Sequence, residues 1–386
     1  MNLILDELEQ AVRDTAREFA EKKVRPLARE LDESGRFPAE LAREMGELGL
    51  MGIYVPEAWG GAGGNATAYS YAILEISKAC ASTGVILSAH TSLCVDPILR
   101  HGTDAQKEKY LKPLASGAKL GAYALTEPNS GSDAATLHTT FAEKDDHFEL
   151  SGTKLFVTNG KYAEVVVVYA TEDPSKAHRG ISAFIVEPTF PGFAWGKVEH
   201  KLGINASATV EIVFDKCRVP KENLLGARGK GFNVALETLD GGRIGIAAQA
   251  LGIGRAALDA ACRHVSAREQ FGAPLAKLQA IQWMIADSAT ELDAAELLML
   301  RAARLKDAGT GRYTKEASMA KLFASEAGFR ACDRALQMHG GYGFIKEYDV
   351  ERHYRDIRIC RLYEGTSEIQ RLVIAANVLK GYAQGG

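Results

Sequence analysis

The chain predicts an α+β fold in which two helical segments flank a segment of strands, and three observations predict it. Apolar residues recur at spacings of three and four from Leu8 to about Lys119. Between about Gly121 and Phe232 the period shortens to two or gives way to short β-branched runs, and helical spacing returns after Gly231. Because helices and strands come in blocks, without βα alternation, separate α and β modules are expected rather than a doubly wound parallel sheet. The division is placed at 1–120, 121–232 and 233–386.

The first residues, MNLILDELEQ, are acidic and amphipathic and lack the cationic start and apolar core of a leader, so they read as a domain helix. Leu8, Val12, Ala16 and Phe19 form its stripe, and Leu41, Met45 and Leu48 form another. The glycine cluster of PEAWGGAGG and the Gly35 to Pro38 stretch break the helical run. In the middle, HFELSGTKLFVTN, GISAFIV and SATVEIVFDKC read as strands, and AEVVVVYA reads as a buried one. In the last block Ile281, Ile285, Leu292, Ala295, Met299, Ala302 and Leu305 mark one stripe of a long helix.

At 386 residues the chain exceeds one hydrophobic core, so two or three packed domains are expected. A formal net charge of −3 carries no basic field suited to a phosphate backbone, so nucleic acid is not an expected partner. No apolar run reaches the roughly 18 residues that cross a bilayer, and no membrane span is expected. The six cysteines are scattered without a CxxC or zinc-like pair, which favours buried thiols in a reducing compartment and no metal site.

Two short patterns mislead. GIGRAA, Gly252 to Ala257, matches a dinucleotide fingerprint but lies in a helical run with no preceding strand, so close helix packing is the better reading. LLGARGKG lacks the first glycine and the final Ser or Thr of a phosphate loop and reads as a plain loop. Neither HExxH nor GxSxG occurs, so zinc hydrolysis and a hydrolase triad lack support.

Four segments remain as carriers of chemistry. YALTEPNSGSDAA, Tyr123 to Ala135, presents many free backbone N–H groups that suit a ring edge or a phosphate, or else is an ordinary polar connector. KLFVTNG ends a strand with Phe156 two residues from Thr158 on one face, which could flank a flat cofactor or simply pack on the sheet. ALQMHGGYGF sets Gln337 and three glycines at a helix end, where backbone approaches a ligand or merely caps the helix. RLYEGTSEIQR puts Glu364 in a loop, with Thr366 or Ser367 as N-cap of the closing helix; a lone loop carboxylate is usually solvated.

Together and in this order the four segments resemble the acyl-CoA dehydrogenase family over essentially the whole chain. PEAWGGAG, AREQFGAPLAKLQAIQ (Ala267 to Gln282) and ERHYRDIRI strengthen the resemblance. It implies an N-terminal helical domain, a central β domain of two-sheet or barrel-like form and a C-terminal four-helix bundle. It further implies a homotetramer, a dimer of dimers, with one FAD per subunit. The isoalloxazine would be held by Tyr123 to Ser132, including Leu125 and Thr126, and by Phe156, Val157 and Thr158, with the Thr158 hydroxyl near N5. Arg268, Phe271 and Gln279, with Gln337, Gly340 and Gly341 of a neighbouring subunit, would hold the adenine and pyrophosphate end. Thr366, Ser367 and Glu368 would complete the site.

The same resemblance makes Glu364 the base that takes a proton from Cα while a hydride leaves Cβ for the flavin. Ser132, Asp240, Arg243, Tyr363 and Gly365 would contact the acyl-CoA. In isovaleryl-type and long-chain members the base comes from the position just before this arginine, which here is Gly242, so the short- and medium-chain arrangement is indicated. LDGGRIGIAAQALG and YEGTSEIQRLVIA resemble short-chain, butyryl-type enzymes, with branched substrates such as isobutyryl- or 2-methylbutyryl-CoA as the alternative. A dicarboxylate is disfavoured, because Thr83 to Val95 offers only His90 as a cation. Electrons would pass to an electron-transferring flavoprotein. An oxidase, or a non-enzymatic relative that keeps the flavin, is the competing reading. The compartment would be bacterial cytoplasm or, for a mature chain, the mitochondrial matrix.

Overall fold

The structure is a computed structural model and describes residues 4–309 and 311–383. Its first part is helical: α1 (Glu7–Phe19), α2 (Ala28–Ser34), α3 (Ala39–Glu47), α4 (Ala66–Ala79), α5 (Ala81–Ser88), α6 (Asp96–His101) and the short turns α7 (Asp104–Gln106) and α8 (Lys112–Ala115). The acidic start of the chain acts as a cap. Asp6 and Glu9 bond reciprocally to each other's backbone N–H in a capping box, and α1 then buries Ala16 and Phe19. Gly35 ends α2 at φ 65°, a left-handed turn that glycine adopts without strain. Helix α4 is apolar nearly all round, and all but Lys78 of its residues are buried.

The middle part holds β1 (Gly121–Ala124), β2 (Thr140–Glu143), β3 (His147–Thr158), β4 (Val165–Thr171), β5 (Ile181–Val186), β6 (Phe193–Val198), β7 (Thr209–Pro220) and β8 (Leu224–Leu225). Pairing runs β6-β7-β3-β2-β4-β5-β8, with β1 parallel to β4. The two halves of this path meet at a single parallel pair, Thr140 with Thr171. They close on a shared core: Phe141 and Phe148 from one half pack on Phe184 of the other, at ring-centroid distances of 5.0 and 5.2 Å. The expected two-sheet, barrel-like form is therefore a continuous sheet folded across one weak joint. AEVVVVYA is the wholly buried strand β4, as its unbroken apolar run predicts.

The last part contains α9 (Gly231–Ala267), the two-residue strands β9 (Glu269–Gln270) and β10 (Ala273–Pro274), α10 (Gln279–Ala308), α11 (Thr314–His339), α12 (Val350–Ile357) and α13 (Ser367–Ala383). The GIGRAA glycines serve packing, as expected. A Cβ at Gly254 would stand 2.8 Å from Leu292 Cδ2 and 3.0 Å from the Cα of Gly328, so α9 and α11 touch backbone to backbone there. LLGARGKG spans β8 and the loop before α9.

The two helical parts are less separate than the block pattern suggests. One apolar cluster runs from Ala16 and Phe19 through Ile73 and Leu74 of α4 to Ile253 of α9 and Ala324 of α11. Polar contacts pin the middle part to both: the Asn205 side-chain amide donates to Asp32 of α2 at 2.9 Å, and Asp356 of α12 accepts from the Ile204 N–H at 2.5 Å. Among the described residues no helix is long and apolar enough to cross a membrane, and no group of His, Cys, Asp and Glu could hold a metal ion.

Candidate active site

Glu364 lies in the loop between the short turn Arg358–Arg361 and α13, at φ 53°, followed by Gly365 at φ 91°. Two successive left-handed residues cost free energy, of order 1–3 kcal/mol for the non-glycine one, and persist only where neighbours enforce them. Two side chains do so. Lys321 of α11, fully buried, donates to the Gly365 carbonyl at 2.6 Å. Gln370 of α13 donates to the carbonyls of Glu364 (3.1 Å) and Gly365 (2.9 Å). The closing helix is capped by Thr366, whose Oγ1 accepts from the Ile369 N–H at 3.3 Å; the Ser367 hydroxyl instead donates to Glu326 at 2.8 Å.

The residue as a whole is half-buried, yet Oε2 of Glu364 is buried without a hydrogen-bond partner among the described residues. Burial pushes its carboxyl up to about 7, while the charges of Lys321 and Arg243 pull it back down. It rests against Gly242: a Cβ built there would overlap Oε2, lie 2.8 Å from Cδ and approach Leu93 Cδ2 at 3.0 Å. The two sequence positions expected to supply a base thus converge on one point in space.

Arg243, next on α9, is buried with its Nη1 on Asp240 (2.7 Å) and Ser318 (3.3 Å) and its Nε without a partner among the described residues. Asp240 also accepts from the Thr314 hydroxyl, and burial holds its carboxyl above the usual range. The surface pair that a helix start would offer is instead a buried cluster. Tyr363 donates to Gln249 of α9. Tyr123, near the end of β1, packs its ring 5.1 Å from Tyr169, and its buried hydroxyl has no partner among the described residues; Glu364 and Arg243 are among the charges that act on it.

The loop after β1 is held from beneath. Glu127 accepts from the His138 and Thr139 N–H groups at 2.6 and 3.0 Å and pairs with Lys154 at 2.6 Å. Lys154, wholly buried, also donates to the Leu125 carbonyl at 3.1 Å. The Thr126 carbonyl accepts from the Leu155 N–H at 2.8 Å. Next, β3 bulges against β7 between Lys154 and Val157, and Phe156 adopts φ 57° and is 60% exposed. Val157 turns into the β core, and Leu125 into a neighbouring core, so only their backbones are free to meet a ligand. Thr158 is half-buried and Ser132 exposed.

Arg268, Phe271, Gln279, Gln337, Gly340, Gly341 and Glu368 are all exposed. Arg268 places its guanidinium 5.5 Å from the Tyr342 ring centre, Phe271 is 92% exposed at φ 55°, and a Cβ at Gly340 or Gly341 would meet nothing within 4 Å. Arg268 and Phe271 follow α9, Gln279 opens α10 and Gln337, Gly340 and Gly341 stand at the end of α11, whereas Glu368 lies in the first turn of α13.

Sequence reasoning missed Lys321, Gln370, Gln249 and the Glu127–Lys154 pair. A lysine at helical spacing from Ala317 and Ala324, inside a run of small residues, is the one signal that marked Lys321. His90, the cation weighed for a distal carboxylate, is buried with both ring nitrogens engaged, by the Leu114 carbonyl (3.1 Å) and the Gly121 N–H (2.9 Å). Burial holds it at about 4, so it is neutral.

Three family matches tile the chain: acyl-CoA dehydrogenase N-terminal domain over residues 6–118, middle domain over 122–217 and C-terminal domain over 229–379. The chain is 50% identical to the short-chain specific acyl-CoA dehydrogenase of Clostridium acetobutylicum, over 98% of its own length and 100% of that protein. Butyryl-CoA dehydrogenase from Megasphaera elsdenii superposes with a TM-score of 0.97 at 45% identity, covering 98% of this chain and 100% of that one. A chain from a structure of the electron transferring flavoprotein of Acidaminococcus fermentans gives 0.97 at 47% identity with the same coverage.

Proposed function

This chain belongs to the acyl-CoA dehydrogenase family, and from that premise we propose that it removes two hydrogens from a short-chain acyl-CoA to give the trans-2-enoyl-CoA. The observation that carries the reading is the Glu364 carboxylate, buried, unpartnered at Oε2 and raised to about 7, where a base works near neutral pH. The short-chain assignment is supported by half-identity to a short-chain specific relative and by Gly242, which leaves room for Glu364 from the C-terminal loop.

The residues present fit FAD, the cofactor of the family. At one end stand the unpartnered buried hydroxyl of Tyr123, the hydroxyl of Thr158, the backbone of Leu125, Thr126 and Val157, the exposed Phe156, and Ser132. At the other, Arg268 and Gln279 offer donors and Phe271 an exposed ring, while Gln337 and the open backbone of Gly340 and Gly341 would come from a neighbouring subunit. Thr366, Ser367 and Glu368 flank the base. Bound FAD supplies the acceptor for the hydride that leaves Cβ.

In this reading Glu364 takes the Cα proton at Oε2. No acceptor for the Glu364 backbone N–H is found among the described residues, and that group serves the thioester oxygen as charge develops there. Tyr363 and Gly365 line the acyl group, and Arg243 and Asp240, with Ser132, meet the CoA arm. The neutral, engaged His90 supports a monocarboxylate over a dicarboxylate substrate. Electrons pass on to an electron-transferring flavoprotein, consistent with the company in which a 47%-identical chain was solved.

We also propose domain limits of 1–120, 121–232 and 233–386, and a homotetramer built as a dimer of dimers. Exposed apolar side chains on the C-terminal part support the assembly: Trp283 on α10, Leu372 and Leu379 on α13, and Phe344 at 86% exposure. Six free cysteines fit bacterial cytoplasm or mitochondrial matrix. The reading is tested by anaerobic mixing of the flavin-loaded protein with straight acyl-CoAs from C4 upward and with isobutyryl- and 2-methylbutyryl-CoA. Bleaching with enoyl-CoA release, and kcat/KM highest for butyryl-CoA, is expected. A maximum on a long or branched chain would overturn the short-chain assignment, and enoyl-CoA from none would overturn the dehydrogenase.

A further inference from the structure

Among the buried ionisable groups that the mechanism above leaves unused, Lys321 stands beside the base loop. Lys321 is wholly inside the helical bundle, yet its Nζ bonds to a neutral carbonyl, that of Gly365, rather than to a carboxylate. A buried ammonium without a bonded counter-ion is costly to keep, and cores rarely hold one without a task. The charged and titratable groups acting on Lys321 are Glu364, Arg243, Glu326 and Cys360. Those acting on Glu364 are Lys321 from α11 and Arg243 from α9, with Tyr69 of α4, Tyr123 of β1 and the adjacent Tyr363 also sensing its charge. Arg243 is already committed to Asp240, at 2.7 Å. Of the two cations that act on the base, Lys321 is therefore the one with no ion pair among the described residues, and it bonds directly to the residue next to Glu364.

We propose that Lys321 is a positioning residue for the reaction: its ammonium fixes the left-handed Glu364–Gly365 turn through the Gly365 carbonyl and sets an uncompensated positive charge beneath the base, keeping the carboxylate ionised in a closed site. The proposal rests on Glu364 being the base. Two consequences separate charge from scaffolding. Gln370 already bonds to both loop carbonyls, so loss of Lys321 leaves the turn partly held. The charge has no such substitute. Burial pulls the Lys321 ammonium down to about 8, so it is still protonated at neutral pH. Once Glu364 has gained a proton, the attraction between the two ends, which favours return of the base to its ionised form before the next turnover.

The test uses the flavin-loaded enzyme and the variants Lys321→Met, which removes donor and charge, Lys321→Gln, which keeps a donor, and Lys321→Arg, which keeps the charge. The protonated Glu364 carboxyl is followed against pH by infrared difference spectroscopy without substrate, its band assigned by its loss in Glu364→Gln. The titration midpoint is expected to rise by about one pH unit in Lys321→Met and Lys321→Gln, an approximately tenfold lower ionised fraction below the midpoint. It is expected to stay near the wild-type value in Lys321→Arg. With butyryl-CoA the acid limb of kcat should move with the midpoint, so that activity lost at pH 7 returns toward pH 9, while KM changes little. An unmoved midpoint in Lys321→Met and Lys321→Gln, with only a lower melting temperature, overturns the proposal. A midpoint moved equally by Lys321→Arg overturns it as well, since packing would then be the cause. If Lys321→Met does not fold, Lys321→Gln against Lys321→Arg decides the matter. The substrate-free titration remains decisive even if butyryl-CoA is not turned over, which separates this idea from the assignment of function.

Discussion

At the scale of single residues, the proposed base, Glu364, is a carboxylate held in an environment that opposes its charge. Its carboxyl near 7 lies above the ordinary glutamate value, so between about pH 4.5 and 7 the folded chain keeps a proton that the unfolded chain has lost. Unfolding free energy therefore falls as pH rises through that window. Glu364→Gln should melt higher than wild type at pH 8, by on the order of 3 kcal/mol of stability at most, with the difference vanishing near pH 4. Calorimetry at the two pH values checks this. Gly242→Ala should act the other way. The new methyl overlaps the carboxylate, which must swing aside, and a displacement of about 1 Å can cost on the order of 100-fold in kcat. Stopped-flow bleaching rates measure it, with flavin content as the control. Neither residue was legible alone in the sequence. Glu364 had the poor prior of any loop carboxylate, and Gly242 became informative only beside the arginine that follows it.

At the scale of elements, the strand-end segment and the loop before it work as one device. The bulge at Phe156 re-aims the ring, and the buried Glu127–Lys154 pair ties the loop's backbone to β3. Removing one member of a buried pair leaves an uncompensated charge. Lys154→Met should therefore destabilise by roughly 3–5 kcal/mol and loosen flavin retention, read by denaturant unfolding and by flavin loss on dialysis. The strand was legible from its alternation and the loop from its Ser, Thr and Gly content. The pair was not, because Glu127 and Lys154 stand 27 positions apart and each reads as an ordinary surface charge. The bulge was equally hidden, since an extra residue leaves no mark on a period of two beyond a phase shift.

At the scale of the whole molecule, the order of helical, strand and helical blocks was legible because periodicity survives any tertiary arrangement. The common core of the two helical parts was not. It arises because α4 is buried on nearly every face and needs cover from both sides, and α9 supplies one side through small residues such as Gly252, whose Cβ would overlap the Leu74 carbonyl. The apolar side chains left on the outside of the bundle call for the same treatment between chains. Sedimentation should report a tetramer, and Phe344→Asp should shift it to smaller species with loss of flavin.

The most direct test of the account is the first turnover of Glu364→Gln with butyryl-CoA under anaerobic conditions, with wild type beside it. Loss of bleaching by at least a factor of about 100, with flavin and butyryl-CoA still bound, is the predicted result for removal of the proton acceptor. Bleaching at the wild-type rate would contradict it, because the Cα proton would then be leaving to some other group.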